Sequence, residues 1–178
     1  MVLSDDGLSD RLREIILLLL DVDGVLTDGG IVYNDDGQEI KSFNAKDGLG
    51  IRLLMDAGIR VGVVTGRRAP ALVHRCKNLG INLIFDGIRD KAEALEQIVA
   101  QLGLYKHQIA FIGDDLPDLP IMKRVGVAVA VGDACEAVRE RAAMVTTAHG
   151  GAGAVREFCE AVLKAKGLWQ TIMERFLE

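Results

Sequence analysis

Asp21 and Asp23 stand one residue apart, run into Gly24, and directly follow six apolar residues, Ile15 to Leu20. Taken alone, such a segment is as well explained by a turn, since Asp-Gly pairs turn readily. An EF-hand loop is excluded, because Leu26 stands where its sixth-position glycine belongs and Val32 where its twelfth-position glutamate belongs. Partners come from three other places. Thr65 ends a second apolar run, Lys91 opens an amphipathic stretch, and Gly113-Asp114-Asp115 ends another apolar run with Asp118 one helical turn on. Carboxylates gathered on one edge repel each other unless a cation neutralises them. An oxygen-only set without histidine or cysteine selects a hard ion, here Mg²⁺. A lysine and a hydroxyl among those carboxylates suit phosphoryl transfer. Asp21 would attack phosphorus to form an aspartyl-phosphate. Asp23 would protonate the leaving alkoxide and then activate water. Mg²⁺ and Lys91 would neutralise the equatorial oxygens, and Thr65 would donate a hydrogen bond to them. Each residue alone has an ordinary explanation: a strand-end hydroxyl, a solvated helix lysine, an acidic cap. Their coincidence at strand and helix ends favours the chemical reading.

Those positions depend on the elements that carry them. The apolar run before Asp21 fits a strand buried on both faces, as in a parallel sheet, and the carboxylates then lie at its C-terminal end, where open α/β sheets bind ligands. Residues 4 to 14 are a polar lead-in, helical or irregular. Two short alternating runs around Asp35-Asp36-Gly37 predict a β-hairpin over about 31–43. It springs from the loop after the two carboxylates, so it would cover the site or pair with another subunit. Helices are expected over 48–57, over 70–79 with a stop at Gly80, and from the N-cap Asp90 to Gly103. Strands are expected over 59–65, 81–85, 109–112 and 127–131. A helix is expected over 116–125 and another from Ala134. After the glycine-rich turn at 149–153 comes a helical region broken near Gly167. Strands alternating with helices predict a doubly wound, mostly parallel Rossmann-like α/β sheet with right-handed crossovers.

The chain of 178 residues, 49% hydrophobic and 4% aromatic with 20 glycines, suits one domain, 1–178, of aliphatic strands and helices. Its net charge of −5 and the lack of a basic cluster argue against nucleic acid, so an anionic substrate needs locally placed Arg and Lys. Cys76, Cys135 and Cys159 are widely spaced with no metal-ligand pairing, which fits reduced thiols. Arg11 and Arg13 before the apolar run faintly suggest a signal peptide. That run is too short and meets Asp21 where small residues belong, so no membrane span and a cytoplasmic protein are expected.

Together the motifs resemble the haloacid dehalogenase superfamily of phosphohydrolases: Asp21-Val-Asp23-Gly24-Val25, Thr65-Gly66, Lys91 and Gly113-Asp114-Asp115-x-x-Asp118. The resemblance implies Asp21 as nucleophile and Asp23 as acid/base. It implies Mg²⁺ held by Asp21, Asp23 (through its carbonyl) and Asp114, with Asp115 and Asp118 supporting the metal's waters or orienting Lys91. No insertion is long enough for a cap domain. Phe43-x-x-x-Asp47-Gly48, Thr65-Gly66-Arg67 and Gly150-Gly-x-Gly153-Ala-Val-Arg156 are similar to the capless 3-deoxy-D-manno-octulosonate 8-phosphate phosphatases of lipopolysaccharide biosynthesis. That family implies a homotetramer whose hairpins help close neighbouring sites. On the substrate side stand Gly66, Arg67 and Arg75, the arginines being suited to grip a 2-keto sugar acid's carboxylate. Phosphatases for N-acylneuraminate 9-phosphate commonly carry glutamate after the Thr-Gly, so Arg67 favours the octulosonate. A non-catalytic phospho-receiver gathers similar residues around Mg²⁺, but its acidic pair comes first along the chain, whereas Asp114-Asp115 come last. The C-terminal stretch from Arg156, with Trp169, Ile172, Met173 and Phe176, reads as packing surface.

Overall fold

The computed structural model describes residues 5–177. Ser4, at the start of the expected lead-in, and Glu178 lie outside the described residues. The order is α1 (Asp5–Glu14), β1 (Leu17–Leu20), β2 (Val32–Tyr33), β3 (Glu39–Ile40), α2 (Ala45–Asp56), β4 (Arg60–Val64), α3 (Pro70–Leu79), β5 (Leu83–Phe85), α4 (Lys91–Leu102), β6 (Ile109–Gly113), α5 (Leu119–Met122), β7 (Val127–Ala130), α6 (Glu136–Arg139), β8 (Met144–Val145), α7 (Ala154–Ala165) and α8 (Trp169–Leu177). Six strands form one parallel sheet in the order β5-β4-β1-β6-β7-β8. Leu17 to Leu20 are fully buried, as a central strand covered on both faces must be. On either side of β1 stand β4 and β6, so the order reverses there and β1 and β6 flank the crevice where such sheets bind ligands. Leu20 pairs with Val63 on one side and Ile112 on the other, which brings the residues after all three strands to one level.

The doubly wound parallel sheet expected from the alternation is present. Local chemistry explains its best-marked helices. α3 begins at Pro70, whose missing N–H costs nothing in a first turn, and stops where Gly80 takes φ 83°. Asp90 caps α4 by accepting from the backbone N–H of Ala92 and Glu93. Asp47, 1% exposed, accepts from the Arg156 backbone N–H at 2.8 Å and so ties α2 to the first turn of α7.

Three expectations need correction. Instead of a helix over 116–125, Leu116–Asp118 form a 3₁₀ turn and α5 spans four residues. Pro117 and Pro120 remove two backbone donors there, and Gly126 turns the chain into β7 with its N–H given to Lys106 and Ile109 carbonyls. Met144–Val145 add a sixth, edge strand that two residues cannot announce. The helix expected from Ala134 is only Glu136–Arg139.

A further close approach binds the glycine-rich turn to the loop after β1. A Cβ on Gly150 would lie 1.7 Å from the Gly24 carbonyl oxygen, while the Gly150 N–H donates to Asp133 Oδ1 at 2.9 Å. Gly150→Ala should therefore destabilise the protein by about 2–3 kcal/mol through overpacking. That corresponds to a fall in Tm of about 4–12 °C in thermal unfolding. Gly7→Ala, in a helix with open space around it, should leave Tm unchanged or slightly raised. Equal Tm values for the two variants would contradict this packing.

Candidate active site

The loop after β1 opens the site. Asp21 takes its place through its backbone N–H, which donates to the Ile112 carbonyl at 3.0 Å. The N–H groups of Val25, Leu26 and Thr27 all donate to the Val22 carbonyl, winding the loop into a tight turn. Gly24 sits in that turn at φ 90°, and a Cβ there would meet Asp114 Oδ2 at 2.1 Å. Glycine is thus what lets the carboxylate from β6 approach the loop from β1.

Oxygens of Asp21, Asp114 and Asp118 lie within 4.8 Å of one another. Lys91, 5% exposed at the first position of α4, reaches into this group, with Nζ 2.8 Å from Asp21 Oδ1 and 2.5 Å from Asp118 Oδ1. Asp118 Oδ2 also accepts from the backbone N–H of Asp114 at 2.9 Å and of Asp115 at 3.3 Å. Burial, and after it the charge of Asp118, pushes the Asp21 carboxyl up to about 6 against the pull of Lys91. Burial again, then Asp21, Asp118 and Asp115, pushes Asp114 up to about 8. For Lys91, burial opposes the charge, but Asp21 and Asp118 outweigh it and its pKa stands above the usual lysine value. One ammonium facing three carboxylates leaves the group short of positive charge. An oxygen-lined, under-neutralised cluster fits a hard divalent cation.

Thr65, 2% exposed, lies at the end of β4, where its Oγ1 accepts from the Arg67 N–H at 3.3 Å. The Asp23 carboxylate stands apart from the three-carboxylate cluster. It pairs with Lys41 Nζ through Oδ1, and its Oδ2 lies 3.6 Å from Arg67 Nε. Two expected residues are engaged elsewhere. Asp115 is exposed and caps the turn at Leu116. Arg75 donates to the Asn44 carbonyl at 2.9 Å and lies over the Phe43 ring, so within the described residues it meets neither the acid cluster nor Arg67. Gly66 follows Thr65 with its Cβ direction open to the Ile88 carbonyl at 3.4 Å. Two residues at the site were not singled out in the sequence, Glu39 and Lys41 of the hairpin. Lys41 Nζ lies 2.5 Å from Glu39 Oε1, and Glu39 Oε2 accepts from Arg67 Nη2 at 2.6 Å. Their signal is the spacing of two, which puts both side chains on one side of an extended strand.

The family described as haloacid dehalogenase-like hydrolase matches over residues 84–158. The chain is 45% identical over 161 residues to the 3-deoxy-D-manno-octulosonate 8-phosphate phosphatase of Yersinia pestis, covering 90% of this chain and 86% of that one. The Moraxella catarrhalis phosphatase of the same name, solved with a magnesium ion, a phosphate ion and a KDO molecule, superposes with a TM-score of 0.95 at 40% identity, covering 97% and 99% of the two chains. The cobalt-bound deoxy-D-mannose-octulosonate 8-phosphate phosphatase of Haemophilus influenzae gives a TM-score of 0.90 at 42% identity, over 94% and 99%. The chain therefore belongs to the 3-deoxy-D-manno-octulosonate 8-phosphate phosphatases among the haloacid dehalogenase-like hydrolases.

Protons and a divalent ion should compete for Asp21 and Asp114. Adding Mg²⁺ should raise the Tm, and the rise should grow with pH from about 6 to about 8, across the values to which those two carboxyls are pushed. The sign follows from their raised pKa values: with no ion, the folded protein loses stability as they ionise with increasing pH. A bound ion offsets that loss. A thermal shift that is flat or shrinks over this range would contradict an ion seated between them.

Proposed function

We infer that the protein is a Mg²⁺-dependent phosphomonoesterase that hydrolyses 3-deoxy-D-manno-octulosonate 8-phosphate through an aspartyl-phosphate. The observation that carries this reading is the convergence of Asp21, Asp114, Asp118 and Lys91 at the switch point of the sheet. Relatives 40–45% identical bear the octulosonate name, which favours that substrate over N-acylneuraminate 9-phosphate.

Asp21 attacks phosphorus with a carboxylate oxygen; the new oxygen–phosphorus bond forms as the bond to the sugar oxygen breaks. Asp23 gives its proton to the departing alkoxide. A water molecule then attacks the aspartyl-phosphate while Asp23 takes its proton back, and phosphate leaves with Asp21 regenerated. Lys91, held by Asp118, places its ammonium beside the transferring oxygens, and the Thr65 hydroxyl donates to them. Asp21, Asp114 and the Asp23 carbonyl would hold Mg²⁺, which when bound supplies positive charge against the phosphoryl oxygens. Arg67 grips the sugar acid's carboxylate with its planar fork, Gly66 leaves room for the sugar, and Arg75 serves a site built with a neighbouring subunit. Asp115 supports the ion's surroundings from the same loop.

The whole chain, 1–178, acts as a single domain without a cap, and it works as a cytoplasmic homotetramer supplying a sugar acid for lipopolysaccharide biosynthesis. The free thiols of Cys76, Cys135 and Cys159 suit a reducing compartment. Support for assembly comes from the hairpin, where Val32 and Ile40, paired across its two strands and 54% and 53% exposed, make an apolar face that a neighbour would cover.

Asp21→Asn should lower phosphate release by about 10³-fold or more, as loss of a nucleophile does. EDTA should stop turnover and Mg²⁺ restore it. Metal-independent turnover, or full activity in the Asn variant, would remove the mechanism. Replacing Val32 and Ile40 together by Asp should shift the mass read by light scattering from that of a tetramer to smaller species. An unchanged mass would exclude the hairpin as the contact.

A further inference from the structure

Four charged side chains form a closed ring beside the acid cluster, alternating in sign. Asp23 meets Lys41 through Oδ1. Lys41 Nζ lies 2.5 Å from Glu39 Oε1, Glu39 Oε2 lies 2.6 Å from Arg67 Nη2, and Arg67 Nε closes the ring 3.6 Å from Asp23 Oδ2. Tyr33 Oη accepts a longer bond from Arg67 Nη2 at 3.4 Å. Three members are sheltered, the side chains of Lys41, Glu39 and Asp23 being 2%, 12% and 20% exposed, while Arg67 is 40% exposed and open to a ligand. Glu39 and Lys41 face it because they alternate with Ile40, which is 53% exposed on the opposite side of the strand.

With both acids ionised the ring is neutral. A sugar acid that brings its own carboxylate to Arg67 meets a guanidinium already paired with Glu39. The two carboxylates then compete for it. Asp23 is fixed by the loop after β1 and is needed for proton transfer. Glu39 sits on a two-residue strand in a hairpin whose opposite face is exposed. Its hold on Arg67 is a single carboxylate oxygen, while the fork of an arginine offers a second pairing edge to an incoming carboxylate.

We propose that Glu39 is a specificity-determining residue, a resident carboxylate that occupies Arg67 until the substrate's carboxylate displaces it. The inference rests on the reading of Arg67 as the group that grips the sugar acid. Sugar phosphates without a carboxylate cannot make this exchange. They leave Glu39 on Arg67. Discrimination for the acid thus arises from replacing one anion by another at the same guanidinium, and the internal competitor weakens every ligand that does not win the exchange. Lys41 stays on Asp23 throughout and keeps that carboxylate in place as Glu39 swings away.

The test compares the full-length Glu39→Gln, Glu39→Asp and Arg67→Ala variants with the unaltered enzyme. Steady-state kinetics are run on 3-deoxy-D-manno-octulosonate 8-phosphate and on p-nitrophenyl phosphate, and inhibition is measured with the unphosphorylated sugar acid. Glu39→Gln keeps the shape and removes the charge. It should tighten inhibition by the free acid about tenfold, the order of one charge-assisted hydrogen bond no longer exchanged. It should also lower KM for the sugar-acid phosphate relative to that for p-nitrophenyl phosphate by a similar factor. Glu39→Asp, which restores the charge, should return both toward the original values. An equal fall in KM on both substrates would mean a general electrostatic effect and overturn the proposal. Weaker binding of the free acid would do the same, by making Glu39 a prop for Arg67. Arg67→Ala separates the two levels of the reading. If it leaves inhibition by the free acid unchanged, the assignment of Arg67 itself fails. If it abolishes inhibition while Glu39→Gln changes nothing, only the exchange fails.

Discussion

Everything at the C-terminal edge of this sheet answers to the repulsion among Asp21, Asp114 and Asp118. Unit charges at the 4.8 Å limit of their separation cost about 3 kcal/mol per pair at an effective dielectric constant near 20. That is a sizeable fraction of the stability of an ordinary domain. Lys91, shared by Asp21 and Asp118, offsets part of the cost, and burial together with the repulsion that remains raises the carboxyl of Asp114. The protein can carry this strain because backbone pairing of β1 with β6 holds the two acidic loops side by side. A site that repels itself when empty is one that favours a cation and, with the cation, a phosphoryl group.

The hairpin solves a different problem. A phosphatase without a cap leaves its nucleophile open to water. Here two residues of one short strand, Glu39 and Lys41, turn inward to Asp23 and Arg67, while Ile40 between them turns outward. Strand alternation therefore gives one element a charged face toward the chemistry and an apolar face toward solvent or a neighbour.

Much of this was legible locally. Pro70 and Gly80 delimit α3, Asp90 caps α4, and the run before Asp21 fills the central strand, because each is set by contacts within a few residues. The clustering of Asp21, Lys91, Asp114 and Asp118 followed from the rule that parallel strands deliver their ends to one edge. What stayed hidden depends on distant partners. Lys41 reads as a surface lysine until the hairpin folds over Asp23, and nothing local announces the contacts of Arg75 with Asn44 and Phe43. The short α5 escaped for the opposite reason. Its apolar pattern suggested a full helix, but Pro117, Pro120 and the turn at Gly126 overrule the pattern within ten residues.

Lys91 is a residue type that the fold by itself does not favour at its position. A lysine at the first position of a helix meets the positive end of the helix dipole, which costs about 0.3–1 kcal/mol. Burying it adds a desolvation penalty, since 95% of its surface is removed from water. An alanine there would serve α4 better, and the cap from Asp90 would survive the change. The penalty is offset by Asp21 and Asp118, which lie in other elements and repel one another, and by the Phe111 ring 5.5 Å from the ammonium. Neither side of this bargain is stable alone. The cation disfavoured by its helix and the anions disfavoured by each other offset one another, and their joint field is of the kind that the phosphoryl transfer proposed for this site would use.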